Sequence, residues 1–200
     1  RSAGVMATVD HCAHAFDVLC SHFENRPAPN PRFPTHESYP LFVTWNKADS
    51  RGLRLRGCIG SLRPVRMTSG VREYALSSAL NDRRFEPIRA SEVPQLHCSV
   101  SILTNFEKAA AWDDWDVGTH GVWIDFSDSD GRPLNATYLP DVAAEQGWGR
   151  KECIDSLMRK AGYRGAITDA LRSQVAVTRY QSTVAKLSWH EYEARYTGAR

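Results

Sequence analysis

Leu55-Arg56-Gly57-Cys58-Ile59-Gly60 sets an arginine, two glycines and a thiol within one strand-like run, a combination that ordinary packing does not require. Strict alternation puts Leu53, Leu55, Gly57 and Ile59 on one face and Arg54, Arg56, Cys58 and Gly60 on the other. Arg56 and Cys58 then stand roughly 7 Å apart on a shared face. The guanidinium, joined by that of Arg54, would favour the thiolate and make Cys58 a nucleophile. Gly57 and Gly60 lack Cβ and suit an unusual dihedral or the close approach of another backbone or a ligand. The competing interpretation makes Cys58 a small buried hydrophobe, lets Gly57 mark a bulge and leaves the arginines solvated on a half-exposed strand.

Outward from this run, Leu41 to Asn46 and Leu53 to Ile59 read as two strands joined by the polar turn Lys47-Ala48-Asp49-Ser50-Arg51-Gly52. Beyond Pro64 the spacing predicts a helix over Ser69 to Leu80. Thr68 or Ser69 is its cap, and Ala75, Ser78 and Ala79 form a small-residue side suited to packing on a sheet. Arg72 and Glu73 could reach a neighbouring site or face water, and water is the preferred reading. The helix ends at Asn81-Asp82-Arg83-Arg84-Phe85-Glu86-Pro87. One reading is a corner with Asp82 paired to an arginine and Phe85 in the core; the other is an anion-binding lip that presents Arg84. The corner is preferred, because an ion-paired turn needs no ligand.

Upstream, Val5, Val9, Cys12, Phe16, Leu19 and Phe23 form one stripe of an amphipathic helix over residues 5–23. His11 and His14 stand three apart, but no further ligand is placed near them, so solvation is expected and no metal is assigned. Residues 27–38 begin with Pro27-Ala28-Pro29-Asn30-Pro31, an extended connection. Downstream, Leu96, Cys98, Val100 and Ile102 mark a strand, while Trp112-Asp113-Asp114-Trp115-Asp116 reads as an exposed patch able to hold a partner. His120, between Thr119 and Gly121 at a strand entrance, is a candidate acid or base, with an ordinary loop histidine as the alternative. Pro140 opens a short helix, Cys153 to Ala161 carries an apolar stripe, and Ser188-Trp189-His190-Glu191 is a capping box.

Composition bounds the classes. At 200 residues, 42% hydrophobic and 24% charged, the chain can bury a sizeable core. A formal charge of +2 supplies no global basic field, which disfavours nucleic acid, and no apolar run approaches a membrane span. The Ser127 to Gly131 turn is not a calcium loop, since Phe126 occupies the first ligand position and no glutamate falls at the last. Five widely spread cysteines without a CxxC pair are intracellular usage. The start Arg1-Ser2-Ala3-Gly4 reads as an excised piece, so upstream targeting signals cannot be judged. The mixed order of elements predicts an α+β unit of two lobes, mainly antiparallel sheet flanked by helices, with residues 39–196 as its body.

Arg56-Gly57-Cys58-Ile59-Gly60, Asp82-Arg83-Arg84-Phe85, His120-Gly121, Tyr138-Leu139-Pro140 and Lys160-Ala161-Gly162-Tyr163, in this order, resemble the AMMECR domain, with Tyr39 to Trp45 similar to its eukaryotic branch. The resemblance runs from the first helix nearly to the C-terminus. It implies one domain over residues 1–200, two unequal lobes and a cleft beside the RGCIG strand. It also implies a nuclear or cytosolic setting and, through the Memo-like and radical-SAM proteins that accompany prokaryotic members, an enzymatic system. By this carry-over Arg56, Cys58, Asp82, Arg84 and His120 are site candidates, with Glu145 and Trp148 beside the short helix.

The leading hypothesis is a site for a small anionic ligand: Cys58 as nucleophile, His120 as acid or base, Arg56 and Arg84 holding phosphate or carboxylate, and Gly57, Gly60, Asp82, Glu145 and Trp148 lining it. No cofactor is implied. The second hypothesis is a protein- or peptide-interaction module using the cleft and the Trp112 to Asp116 patch. Nucleic-acid binding comes third, since Gly57-Cys58-Ile59-Gly60 is a GxxG at a strand end rather than between helices.

Overall fold

The fold is described from a computed structural model covering residues 6–198. Its elements are α1 (Val9–Phe23), β1 (Ser38–Asp49), β2 (Gly52–Arg66), α2 (Met67–Leu80), a 3-10 turn at Ala90–Gln95, β3 (Leu96–Lys108), β4 (Gly121–Ser127), β5 (Pro133–Tyr138), α3 (Pro140–Glu145), α4 (Arg150–Lys160), α5 (Asp169–Arg172), β6 (Ala176–Ser188) and α6 (Trp189–Tyr192). The strands form an antiparallel sheet in the order β2-β1-β3-β6-β4-β5. The chain divides into two compact units, Arg1–Leu103 with Thr183–Arg200, and Thr104–Ser182. This is the α+β class that the mixed element order predicts.

In the first unit the α1 stripe meets the inner face of the sheet. Cys12, Phe16 and Leu19 are fully buried with Val43, Trp45, Cys98 and Val100, and the Phe16 ring stands edge-on to Trp45 at 5.0 Å. Val5, expected to open this helix, lies outside the described residues; Thr8 is the N-cap, and His11 closes a capping box with it. His11 and His14 are not solvated. They are 4% and 3% exposed because Phe33, reached through the proline-rich connection, stacks on His11 at 4.2 Å and stands edge-on to His14. Burial lowers both imidazole pKa values.

Helix α2 starts at Met67, two residues before the expected Ser69, and no side chain caps it. Strand β2 runs straight into it, and the Met67 N–H is held by the Glu37 carbonyl at 2.9 Å. Its small side is where Ala75, Ser78 and Ala79 are buried, and Trp45 Nε1 donates to the Ala75 carbonyl at 2.9 Å. At the following corner Asp82 pairs with Arg84, but Ile88, not Phe85, enters the core. Phe85 stays half-buried under the Arg84 guanidinium.

The second unit has its own core, in which Val122 and Ile124 of β4 meet Cys153, Ile154, Leu157 and Met158 of α4. The Trp112 to Asp116 stretch is only partly exposed: Asp113 and Asp116 face solvent, but the aromatic side chains do not form an open patch. Trp115 is 2% exposed, and its indole donates to the Trp112 carbonyl. Asp114 pairs with Arg179 and Asp116 with Arg150. Gly121 is required where it stands, because a Cβ there would lie 2.3 Å from the Tyr180 ring.

Candidate functional site

Within the RGCIG run alternation fails at one residue. Trp45 pairs with Gly57 and Asn46 with Leu55, leaving Arg56 as the extra residue of a bulge. The guanidinium therefore leaves the Cys58 face. Arg56 donates to Glu92 through Nε (3.1 Å) and Nη2 (3.0 Å), and to the Glu86 and Pro87 carbonyls at 2.5 and 3.2 Å. Lys47 Nζ reaches the same carboxylate at 2.9 Å, and so does the Arg89 N–H, also at 2.9 Å. Leu53 and Leu55, by the same shift of phase, stand across from Ala48 and Asn46 and are exposed. Arg56 is thus bound within the fold, tying β2 to the 86–92 segment.

β2 is an edge strand, and at Cys58 its outer edge is closed by side chains. Asp82 Oδ2 accepts the Cys58 N–H at 2.9 Å, while Arg84 Nη2 donates to the Cys58 carbonyl at 3.1 Å. Arg84 also grips Asp82 twofold, Nε to Oδ1 at 2.9 Å and Nη2 to Oδ2 at 2.7 Å, and its N–H bonds Oδ1 at 3.2 Å. A carboxylate and a guanidinium take the place of a neighbouring strand.

Because both Cys58 backbone groups point outward, its pair with Thr44 is of the non-hydrogen-bonded kind, in which side chains approach closest. Thr44 Oγ1 donates to Cys58 Sγ at 3.1 Å. On its other side Thr44 stands across from Ser99, so thiol and two hydroxyls form a row over three strands on the face turned away from α2. In the next row Phe42 stands across from Gly60 and Ser101. A Cβ on Gly60 would lie 2.5 Å from Phe42 Cγ, and one on Gly57 would lie 1.9 Å from the Ser78 carbonyl oxygen. The space freed by both glycines is filled by the chain itself.

Both carboxyls of this assembly have strongly lowered pKa values. For Asp82 the Arg84 bonds, opposed by burial and aided by the Cys58 N–H, bring it to about 2 from 3.8. For Glu92 burial opposes ionisation, but bonds from Arg56, the Arg89 N–H and Lys47 outweigh it and bring it to about 2 from 4.5. A depressed folded-state pKa gives stability that is complete above the unfolded pKa values and lost as pH falls from about 4.5 towards 2. We expect each carboxyl to contribute about 2 kcal/mol across that window. His11 and His14, lowered by burial, add an earlier decline below their ordinary value of 6.5. Urea titrations at pH 6, 4 and 2.5 check this, because the acid slope should flatten in Glu92→Gln; an equal slope in both proteins would show that Glu92 titrates normally.

The remaining candidates belong to the second unit. His120, mostly buried, accepts the Asp116 N–H on Nδ1 at 3.0 Å, which puts the proton of the neutral ring on Nε2. Glu145 is exposed at the end of α3, and Trp148 packs against Tyr138 at 5.8 Å. Cys58, Asp82 and Arg84 are brought together in the first unit, with Arg56 on a separate carboxylate. Thr44 and Glu92 were not singled out by sequence. Thr44 gives its signal only once the hairpin register is known, and Glu92 is 36 residues from the arginine it holds. Among the described residues no group of three or more His, Cys, Asp or Glu converges as a metal site.

The chain is similar to an uncharacterised protein of Arabidopsis thaliana, 49% identical over 190 residues that cover 94% of this chain and 88% of the relative. An uncharacterised protein of Schizosaccharomyces pombe is 36% identical over 186 residues, covering 92% and 94%. The crystal structure of an uncharacterised protein from Pyrococcus horikoshii shares the fold, with a TM-score of 0.71 over 89% of both chains at 24% identity. The AMMECR1 family model matches residues 12–185, and the chain belongs to the AMMECR1 family.

Proposed function

We propose that this chain is a thiol-dependent group-transfer or hydrolytic enzyme for small anionic substrates, with Cys58 as its nucleophile. The observation that carries it is the seating of Cys58. Its backbone is pinned on both sides by Asp82 and Arg84, while its sulfur receives the Thr44 hydroxyl at 3.1 Å on a sheet face. Arg84 keeps its side chain 58% exposed even while it holds Asp82, so its charge is available to an anionic group. In the reaction the Cys58 thiol releases its proton to solvent, and the thiolate attacks an acyl or phosphoryl centre. The bond from sulfur to that centre forms as the leaving group departs with its electron pair and takes up a proton. Water or an acceptor then displaces the sulfur. These roles rest on the first unit alone.

Alkylation tests this reading. In the folded protein at pH 7, iodoacetamide should modify Cys58 at least about tenfold faster than Cys12, Cys98 and Cys153, which are at most 1% exposed. Burial pushes the Cys98 thiol well up and that of Cys153 to about 11. Labelling of Cys58 only after unfolding would end the proposal. The second reading, a non-catalytic interaction module, draws on Leu53 and Leu55, 57% and 42% exposed on the Cys58 side of the sheet. Cys58→Ser separates the two, since it removes covalent turnover yet spares partner capture.

A further inference from the structure

Between α1 and α2 the first unit holds a concavity that does not include Cys58. It has a volume of about 270 Å³ and lies between the last turns of α1, the turn that follows and the Arg72 and Leu76 positions of α2. Its walls include Val18, Ser21, Arg26, Pro27, Arg72 and Leu76. The α1 terminus shapes it: Asn25 takes a left-handed φ of 52°, and the Arg26 N–H returns to the Ser21 carbonyl at 3.0 Å. This closes the helix end and turns Arg26 and Pro27 back over the opening.

Two groups in this wall are unexplained by folding. Ser21 is 2% exposed, yet its hydroxyl finds no hydrogen-bond partner among the described residues. A buried hydroxyl in that state costs about 1–3 kcal/mol. Arg72, exposed on α2, has no ion pair or hydrogen bond among the described residues, unlike Arg56 and Arg84, each of which holds a carboxylate. Arg26 on the opposite wall is balanced by Glu24. The cavity therefore offers one uncompensated guanidinium, one unsatisfied hydroxyl donor and an apolar floor of Val18, Leu76 and Pro27. Such a donor set suits an oxyanion attached to a small, partly apolar body.

We infer that this cavity is a binding site for an oxyanion-bearing small molecule, a phosphate ester or a carboxylate, held by Arg72 and Ser21. The site is independent of the Cys58 reading. The test is a titration of the full chain at constant ionic strength, followed by amide NMR shifts. Inorganic phosphate and pyrophosphate form one arm, and acetate and succinate the other. Saturable shifts confined to residues 18–28 and 70–77 are expected, and the arm that binds more tightly identifies the head group. Arg72→Gln should weaken binding about tenfold or more without moving the melting temperature. Ser21→Ala should weaken it several-fold while leaving the fold as stable or slightly more so, because it deletes an unsatisfied group. Shifts that do not saturate, that sodium chloride reproduces, or that persist unchanged in Arg72→Gln would overturn the site. A marked loss of stability in Ser21→Ala would remove Ser21 from it.

Discussion

Gly57→Ala is expected to lower the stability of the first unit by about 4 kcal/mol or more, enough to leave much of the chain unfolded at ambient temperature. The added methyl would sit 1.9 Å from the Ser78 carbonyl oxygen and 2.9 Å from its carbon. The obstruction is helix backbone, so no rotamer change relieves it. Nor can α2 easily recede, because Trp45 is fully buried beneath it and bonds the Ala75 carbonyl at 2.9 Å. Gly149→Ala is the control. There the new Cβ would meet the Glu152 carboxylate, its Oε2 at 2.8 Å, the tip of a flexible side chain, and the change should stay within about 1 kcal/mol. Urea denaturation of the two variants checks the contrast; a Gly57→Ala protein melting within a few degrees of the parent would mean that α2 slides freely on the sheet.

Asp82→Ala should cost about 2–3 kcal/mol, below the range for a fully buried pair because Arg84 can turn to water. The loss comes from the Cys58 N–H, whose 2.9 Å bond goes with the carboxylate that accepts it. Asp82→Asn keeps one acceptor oxygen and should fall between. Amide exchange at Cys58 gives a local readout: protection there should drop in Asp82→Ala by more than at Val43 or Val100, which lie in the core. Unchanged protection would show that the edge is closed by something else.

The strand pair, the small-sided helix after it and the Asp82 corner were legible because each rests on local spacing. The arrangement around Cys58 was only partly so. Counting by twos assigned Arg56 to the thiol, and the bulge that moves it away has no local marker except Gly57. Glu92, which receives Arg56, is invisible without the tertiary fold. His11 and His14 read as solvated because nothing near them in sequence foretells that Phe33 will lie over both. The pairing of the acids at 114 and 116 was hidden for the same reason, since Arg179 and Arg150 that neutralise them are 65 and 34 residues away. Local periodicity predicts elements, whereas charges separated by tens of residues find one another only in the fold.

The bulge also says what Arg56 is for. Pairing stands at Trp45 with Gly57 and resumes at Asn46 with Leu55, so the ladder would run through this point without a break with one residue fewer. Removing Arg56 would leave every neighbouring side chain on its present face. The hairpin carries a supernumerary residue whose contribution is a tether rather than a rung: it sends one cation across the plane of the sheet and moors the strand to the loop that precedes β3.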